Sequence, residues 1–305
     1  MKYDIIGDIH GYFPELVRLL KKMGYGLSER GHYYHPDRQA VFVGDYIDRG
    51  KNSREVVQLV KTMQEEGSAI ALMGNHEYNA ICFHTKGSKG EYLRSHTLQN
   101  INQHCSTLQS FGDHGFLKES LDWFKELPLY FENDYLRVVH ACWEFDKIEI
   151  FEKEMRGSKL RMDLLEASTE EGHELYEAVE TLLKGKELEL PKGVSFLDKD
   201  LNQRNKIRVK WWENPKGKNY KEYAVKLETA YENLLDQIPE NSSVNSIYNP
   251  KDTPVFFGHY WLDEQKPSIQ KPNVCCVDYS VANDGKLVAY RFDGETKLNN
   301  SKFVF

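Results

Sequence analysis

The sequence has few cysteines for its length, and none of them has the spacing of a thiolate metal site. Five cysteines are spread over 305 residues; they form no CxxC pair, and Cys275 and Cys276 are adjacent. An odd count in this arrangement argues against a disulfide framework. It predicts buried or inert thiols in a reducing compartment, and we therefore expect a cytoplasmic protein.

Long apolar runs, a leader-like N-terminus and an excess of basic residues are also absent. No stretch approaches the length of a transmembrane helix. The chain begins "MKYDIIGDIHG", without the basic and apolar regions of a signal peptide. Its net charge of −7 argues against a broad surface for nucleic acid. We therefore expect neither a membrane nor non-specific nucleic acid as a partner.

The composition and its patterning predict an α/β globular protein. Hydrophobic residues make up 40 % of the chain and charged residues 29 %, which is typical of a soluble domain with a full core. In the first 75 residues, the apolar runs "YDIIGD", "AVFVGD" and "SAIALMGN" alternate with the helical patterns "YFPELVRLLKKMGY" and "SREVVQLVKTMQEEG". This alternation predicts βαβ units and a mostly parallel sheet.

The remaining three-quarters of the chain contain two further types of sequence pattern. "LYFENDYLRVVHA" predicts a hairpin that turns at Asn133-Asp134, and the stretch from Asn273 to Leu298 predicts closing antiparallel strands. Residues 144–250 contain the helical patterns "ELYEAVETLLKG" and "KEYAVKLETAYENLLDQI", separated by loop-rich sequence. We predict a core of residues 1–143 plus 251–305 and an inserted region, 144–250.

Metal-binding residue types follow five predicted strands, at the point where each strand ends. They are Asp8 and His10 in "GDIHG", Asp45 in "GDYIDRG", Asn75 and His76 in "GNHE", His140 in "VVHA" and His259 in "FFGHYW". Because ligands of open α/β sheets bind beyond the carboxyl ends of strands, these side chains can converge. One such residue is usually a turn or a structural histidine, but five strand ends together indicate a site.

The residue types in this group predict two divalent metal ions. Carboxylate, imidazole and amide ligands without thiolate suit Mn²⁺, Fe or Zn²⁺. Six or seven such groups are too many for one ion with open positions, and two ions can share a carboxylate and a hydroxide that attacks a phosphoester. No motif surrounds seven other histidines, which we interpret as structural: His32, His35, His84, His96, His104, His114 and His173.

The signatures "GDIHG", "GDYIDRG" and "GNHE" resemble those of the calcineurin-like metallophosphoesterases, and within them the phosphoprotein-phosphatase branch with its bacterial members. The resemblance covers residues 1–143 and 253–295 and does not reach 144–250. It implies a mixed β sandwich flanked by helices, with 144–250 as a mainly helical inserted cap. "GHYW" places Trp261 where many metallophosphoesterases have a second metal-binding histidine, which this branch also lacks.

The resemblance also implies a role for each residue of the motifs. The implied metal ligands are Asp8 and His10 for the first ion, Asp45 as the bridge, and Asn75, His140 and His259 for the second. His76 is implied as the general acid toward the leaving oxygen, oriented by Asp48, and Arg49 as a contact of the phosphate oxygens. A histidine paired with a carboxylate and a planar guanidinium suit these roles. The implied metal is Mn²⁺, with Fe or Zn²⁺ as alternatives.

The inserted region contains one strongly basic stretch. Residues 204–221 carry seven basic side chains and one acidic one, around Trp211 and Trp212. This pattern is typical of a solvated edge strand with tryptophan packed inward. It also fits a cap that contributes Arg208 or Arg204 to a substrate phosphate, with an aromatic pair to stack on a base or a phosphotyrosine.

The expected function is a dinuclear metal-dependent phosphatase that hydrolyses phosphomonoesters by attack of a metal-bound hydroxide. The expected substrates are proteins phosphorylated on serine, threonine or tyrosine, or small phosphoesters. A dinucleoside tetraphosphate hydrolase is the alternative enzyme, because bacterial members of the branch include such enzymes. A non-catalytic, metal-stabilised scaffold is the alternative from another class, and the intact Asp48, Arg49, Asn75 and His76 argue against it.

Overall fold

The predicted alternation of strands and helices is present in the computed structural model, which describes residues 2–191, 193–197, 203–225 and 247–305. The strands are β1 (Lys2–Ile6), β2 (Gly26–Leu27), β3 (Tyr33–Tyr34), β4 (Arg38–Phe42), β5 (Ala69–Ala71), β6 (Tyr130–Glu132), β7 (Arg137–Val139), β8 (Glu187–Glu189), β9 (Phe196–Leu197), β10 (Gln203–Arg204), β11 (Lys206–Arg208), β12 (Val255–Phe257), β13 (Val274–Cys276), β14 (Asp278–Tyr279), β15 (Lys286–Leu287), β16 (Ala289–Phe292) and β17 (Phe303–Val304).

Eight α-helices are described along the same residues. They are α1 (Phe13–Lys22), α2 (Ser53–Glu65), α3 (Asn75–His84), α4 (Leu98–Phe111), α5 (His114–Lys125), α6 (Phe145–Ile150), α7 (Glu174–Lys184) and α8 (Tyr220–Tyr223). A π-helical turn, Phe151–Met155, continues α6, and short 3-10 turns lie at Met162–Leu164, Ala167–Thr169, Val281–Asn283 and Asn300–Lys302. Among these described helices, none is both long and apolar enough to cross a bilayer.

Two mixed sheets form the centre of the larger part of the chain. The first has the strand order β17-β16-β1-β4-β5, in which β1, β4 and β5 are parallel, β16 pairs antiparallel with β1, and β17 pairs antiparallel with β16. The second has the order β13-β12-β7-β6, in which only β6 is antiparallel. The expected α/β fold and the hairpin at 133–134 are confirmed. β13 differs from the prediction, because it joins its sheet as a parallel strand.

The main apolar core is built from both sheets. Ile5 and Val41 from the first sheet share one buried cluster with Val138 and Phe256 from the second. Short runs that are apolar throughout, such as Val255–Phe257, are buried along their whole length, as expected for strands covered on both faces. The helices add amphipathic faces, such as Leu16, Leu19 and Leu20 of α1. This packing holds the strand ends in place.

The chain divides into two compact units, Met1–Lys184 with Thr253–Phe305, and Gly185–Asp252. The predicted insert begins at 144, whereas the structure assigns 144–184 to the larger unit. The reason is local packing: Ala141 N–H donates to the carbonyl of Leu182 in α7 (2.9 Å), and Leu129 N–H donates to that of Ser158 (2.8 Å). The change in composition at 144 therefore marks a change of element type within one unit.

The smaller unit has an apolar cluster of its own. β8 pairs with β11 antiparallel, and Leu190, Ile207 and Val209 are buried together with Tyr220 and Tyr223. Within the described residues this unit has four short strands and α8. The predicted helix over 221–238 coincides with α8 only at its start, and its continuation over 226–238 lies outside the described residues.

The cysteines and tryptophans that were singled out in the sequence are mostly buried. All five cysteines are free thiols; four are buried and Cys105 is partly exposed. Trp211 and Trp212 are buried as well, with their ring centroids 5.6 Å apart. Arg204 and Arg208 are exposed on β10 and β11. This burial fits the interpretation of the tryptophans as packed inward.

We expect Phe256→Ala to lower the free energy of unfolding by about 3–5 kcal/mol. The Phe256 side chain is fully buried, and its ring centroid lies 5.1 Å from that of Tyr290 and 5.6 Å from that of Phe292. Urea unfolding followed by circular dichroism measures the change. Tyr135→Ala is the matched control, because Tyr135 is 59 % exposed on the hairpin. Equal losses in the two variants would contradict this core.

Candidate metal centre

The polar residues that follow the strands meet at one edge of the two sheets. Asp8 and His10 follow β1, Asp45 follows β4, Asn75 begins α3 directly after β5, His140 follows β7, and His259 follows β12. All six side chains are buried, none with more than 8 % of its surface exposed. The convergence predicted from the sequence is therefore present.

Asp45 lies at the centre of this group. It belongs to two clusters of potential ligand atoms, one with His10 and His76 and one with His140 and His259, and within each cluster the atoms lie within 4.8 Å of one another. Asp45 Oδ2 is 3.6 Å from His10 Nε2, and Asp45 Oδ1 is 3.5 Å from His140 Nε2. One carboxylate thus faces two donor groups, which is the geometry of a bridging ligand.

Two other predicted ligands, Asn75 and Asp8, lie near this group. Asn75 Oδ1 lies 3.0 Å from His140 Nε2 and 2.8 Å from His259 Nδ1, so Asn75 joins the second cluster. Asp8 accepts the backbone N–H of His259 at 3.0 Å. Asp8 belongs to neither cluster, and the first cluster contains His76, for which the resemblance implies an acid role and no metal contact.

The tautomers of two histidines show that this group fits a cation. His10 Nδ1 lies 3.0 Å from the carbonyl of Ile47, and His140 Nδ1 lies 2.9 Å from that of Val43. A carbonyl only accepts, so each ring carries a proton on Nδ1, and in the neutral imidazole the lone pair is on Nε2. Both lone pairs then point toward Asp45, which also only accepts. A divalent cation between them would turn this repulsion into coordination.

The Nε2 atom of His10 also indicates that this group fits a cation. Its Nε2 is buried and has no hydrogen-bond partner within the part of the chain that the structure describes. Burial lowers the pKa of His10 to about 4 against the attraction of Asp45. The imidazole is therefore neutral near pH 7, and its lone pair is available to a metal. The residues present fit the divalent ions predicted from the sequence.

Two glycines leave the space that the carboxylates occupy. A Cβ atom on Gly74 would lie 2.2 Å from Asp45 Oδ1, and one on Gly258 would lie 2.0 Å from Asp8 Oδ1. Either Cβ atom would clash, because real Cβ atoms essentially never lie within 3.0 Å of a non-bonded heavy atom. These glycines of "GNHE" and "FFGHYW" are needed for the close approach of backbone and ligand.

Backbone strain is concentrated at the same place. In the described residues, nine non-glycine residues have a positive φ, and six of them surround the centre: His10, Asp45, Asp48, Arg49, His259 and Trp261. The left-handed region costs an L-residue about 1–2 kcal/mol. Such strain persists only where surrounding contacts hold it, and it clusters at functional sites.

Glu77 supplies one of the contacts that hold this strained loop. Its carboxylate accepts the backbone N–H groups of Asp45 (2.8 Å), Tyr46 (2.8 Å) and Gly74 (3.0 Å). Burial, with the nearby charge of Asp45, raises the pKa of Glu77 to about 8. Glu77 is part of "GNHE", yet we predicted no role for it. The available signal was its place inside that motif, three residues after Gly74.

His76 and Asp48 form the pair that the sequence predicted. His76 Nδ1 lies 2.5 Å from Asp48 Oδ2. Burial alone would raise the pKa of Asp48, but hydrogen bonds from His104 and His76 outweigh it and hold that pKa well below its usual range. Burial would lower the pKa of His76, but Asp45 and Asp48 outweigh it and raise that pKa. The imidazolium form of His76 is thus favoured.

His104 is a site residue that we predicted only as structural. Its Nδ1 lies 3.0 Å from Asp48 Oδ1, and Thr107 donates to the same oxygen at 2.6 Å. Both residues lie on α4, far from any motif in the sequence. The signal that could have found them is two polar residues, three apart, on the inward face of a helix.

Asp278 was also missed, although it follows β13 just as the predicted ligands follow their strands. It is buried and accepts the N–H groups of Trp261 (2.7 Å) and Ser280 (3.0 Å). Burial raises the pKa of Asp278 to about 6. Burial, Asp278 and Asp45 together raise the pKa of Asp8. The strand-end rule applied to "VCCVD" would have identified it.

Arg49 lies at the exposed side of the centre. Its guanidinium carbon is 5.5 Å from the ring centroid of Trp261, and that ring is 5.6 Å from the ring of His10. Arg49 is exposed, whereas the residues before and after it are buried. The structure thus places the predicted phosphate contact beside the first cluster. Arg204 and Arg208 belong to the smaller unit, and their contact with substrate stays a prediction.

Comparison with known proteins links the first half of the chain to one family. The family model described as calcineurin-like phosphoesterase matches residues 1–169. The bis(5′-nucleosyl)-tetraphosphatase PrpE (asymmetrical) of Halalkalibacterium halodurans is 33 % identical over 175 residues, which are 56 % of this chain and 70 % of that protein. The enzyme of the same name from Bacillus subtilis is 30 % identical over 166 residues, covering 54 % and 67 %.

A solved structure resembles the fold more loosely. The cold-active protein-tyrosine phosphatase of a psychrophilic Shewanella species aligns over 96 % of this chain and 78 % of its own, with 18 % identity and a TM-score of 0.49. A likeness of this degree carries no argument about activity. His259 and Asp278 lie beyond the residues matched by the family model.

We expect Asp45→Asn to lower metal binding more than Asp8→Asn does. Asp45 faces both donor clusters, so its loss should reduce the bound metal from about two ions per chain to fewer than one, whereas the loss of Asp8 should affect one ion. Inductively coupled plasma mass spectrometry after dialysis against Mn²⁺ measures this. Asp37→Asn, at an exposed position, is the control. Retention of two ions by Asp45→Asn would refute the bridging assignment.

Proposed function

The chain belongs to the calcineurin-like phosphoesterase family, and we propose that it is an asymmetrical dinucleoside tetraphosphate hydrolase. The observation that carries this proposal is the name shared by relatives 30–33 % identical to this chain. The dinucleoside alternative is therefore better supported than phosphoproteins, which we placed first from the sequence. The relatives match little more than half of this chain, so the substrate is part of the proposal.

The buried centre supplies the residues for a metal-dependent hydrolysis. The residues that would hold two divalent ions are Asp8, His10, Asp45, Asn75, His140 and His259. Mn²⁺ is the first ion to test, with Fe or Zn²⁺ as alternatives. When bound, such ions neutralise phosphate charge and lower the pKa of an attacking water. The convergence of the His10 and His140 lone pairs on Asp45 supports this use of the centre.

His76 would provide the proton in the reaction. Water attacks one phosphorus atom of the tetraphosphate, the bond to the bridging oxygen breaks, and the products are a nucleoside triphosphate and a nucleoside monophosphate. Because Nδ1 of His76 is bonded to Asp48, its Nε2–H is the group that can donate to the departing oxygen. That Nε2 lies 3.9 Å from Asp45 Oδ2, on the side of the metal clusters.

Arg49 would bind the substrate beside this group. Its guanidinium offers a planar fork of N–H donors that matches phosphate oxygens. Its exposure allows an incoming ligand to reach it, while Trp261 limits where the guanidinium can point. A polyphosphate chain presents several oxygens, so Arg49 can contact a phosphate next to the one that reacts.

A substrate panel tests the proposal directly. With Mn²⁺ present, we expect kcat/KM for diadenosine tetraphosphate to exceed that for a phosphotyrosine or phosphoserine peptide by about tenfold or more, a difference of roughly 1.4 kcal/mol. Chromatography should show ATP and AMP in equal amounts. ADP alone would contradict asymmetrical cleavage, and faster turnover of a phosphopeptide would favour the phosphoprotein function instead.

We expect His76→Ala to retain metal but to lose turnover in a way that depends on the leaving group. General-acid help is worth about 10²–10⁴-fold, and an alkyl phosphate needs it more than p-nitrophenyl phosphate or a phosphoanhydride. The ratio of wild-type to variant kcat on a series of substituted phenyl phosphates and alkyl phosphates measures this dependence. His114→Ala, at an exposed position on α5, is the control. Equal losses on all substrates would exclude the acid role.

A further inference from the structure

We propose that His104 on α4 is a positioning residue for the reaction, which holds Asp48 and through it the imidazole of His76. This inference rests on the proposed function, because it assigns His104 to the group that protonates the leaving oxygen. It adds a residue from outside the sequence motifs to that group. The contacts of α4 with Asp48 carry it.

Two side chains of α4 hold Asp48 from one side. His104 Nδ1 lies 3.0 Å from Asp48 Oδ1, and the Thr107 hydroxyl donates to the same oxygen at 2.6 Å. The Thr107 hydroxyl also accepts the backbone N–H of Asp48 at 2.8 Å. All three residues are buried. With Oδ1 bonded twice, the second oxygen, Oδ2, is left to face His76.

Asp48 needs such support because its backbone is strained. Asp48 and Arg49 both have φ +67°, and two consecutive L-residues in the left-handed region are costly. The carboxylate could also rotate about its last bond, since rotation around an sp³–sp² bond has low barriers. The hydrogen bonds to His104 and Thr107 hold the strained backbone of Asp48 and prevent rotation of its carboxylate. His76 thus meets an acceptor in a set orientation.

The ring of His104 is itself held at both nitrogens. Its Nε2 lies 3.2 Å from Nε2 of His84, the last residue of α3. Burial, followed by the neighbouring His104, lowers the pKa of His84 to about 4, so His84 is neutral and can share one hydrogen bond with its neighbour. This contact keeps Nδ1 of His104 aimed at Asp48.

A second link fixes α4 relative to α3, the helix that carries His76. Arg94 donates to Asn79 Oδ1 on α3 (3.2 Å) and to Gln103 Oε1 on α4 (2.9 Å). Gln103 directly precedes His104. The distance between the helix that bears the proposed acid and the helix that bears its support is therefore set by two separate bridges.

The test compares His104→Phe, which keeps a ring but removes the N–H, with His104→Asn, whose amide can still donate to Asp48. Loss of one hydrogen bond to a charged group corresponds to about a 10- to 100-fold change. We expect His104→Phe to lower kcat by that factor on an alkyl phosphate, with KM and metal content unchanged. His104→Asn should recover most of it. His104→Leu repeats the test if the phenylalanine does not fold.

A double-mutant cycle separates positioning from general destabilisation. In a His76→Ala background, His104→Phe should cause no further loss of kcat, because there is no acid left to position. His114→Phe and His114→Asn, at the exposed start of α5, are the matched controls and should retain full activity. A further 10-fold loss in the His76→Ala background would overturn the proposal.

A measurement without turnover distinguishes this inference from the proposed function. The proton on Nδ1 of His76, in its short hydrogen bond to Asp48, should give a downfield resonance in the proton NMR spectrum of the protein loaded with diamagnetic Zn²⁺. We expect His104→Phe to shift or broaden that resonance and His104→Asn to retain it. An unchanged resonance in the folded His104→Phe protein would overturn the proposal even if the protein hydrolysed none of the substrates tested.

Discussion

The structure depends on one electrostatic conflict, the convergence of His10 and His140 lone pairs on the Asp45 carboxylate. Backbone carbonyls of Ile47 and Val43 accept hydrogen bonds from the Nδ1–H groups of these rings, so in the neutral imidazoles the Nε2 atoms have no proton to donate toward Asp45. Acceptors do not gather in a buried place without compensation. The fold imposes this arrangement through strained loops, close glycines and the buried Glu77, and all of them serve a site that a cation completes.

Around that centre, each buried carboxylate stabilises a different part of the site. Glu77 holds the backbone of the Asp45 loop, and Asp278 holds the backbone at Trp261. Asp48 forms a hydrogen bond to His76 through Oδ2 and to His104 of α4 through Oδ1. The proposed acid is thus connected to a helix outside the sheet edge. The chemistry is local, but its geometry is set by elements from most of the larger unit.

The fold and the centre were predictable from the sequence to different degrees. Strand ends such as "GDIHG" and "GNHE" identified the buried group, because parallel strands place their carboxyl ends at one edge. His104 and Thr107 were not predictable in this way, because the sequence of a helix does not show which part of the protein its inward face will contact. The start of the insert at 144 was read from composition, which does not report that α7 packs beside Ala141.

The sequence by itself determined the α/β class, the residues at the strand ends and the family, because short-range periodicity and unbroken motifs carry that information. Only the tertiary structure decided that Glu77 accepts the backbone N–H of Asp45, that the His76 ring lies near Asp45 and His10, and that His104 contacts Asp48, 56 positions earlier in the chain. Those facts depend on distances between residues remote in sequence. Such distances arise when sheets and helices pack, and no local pattern records them.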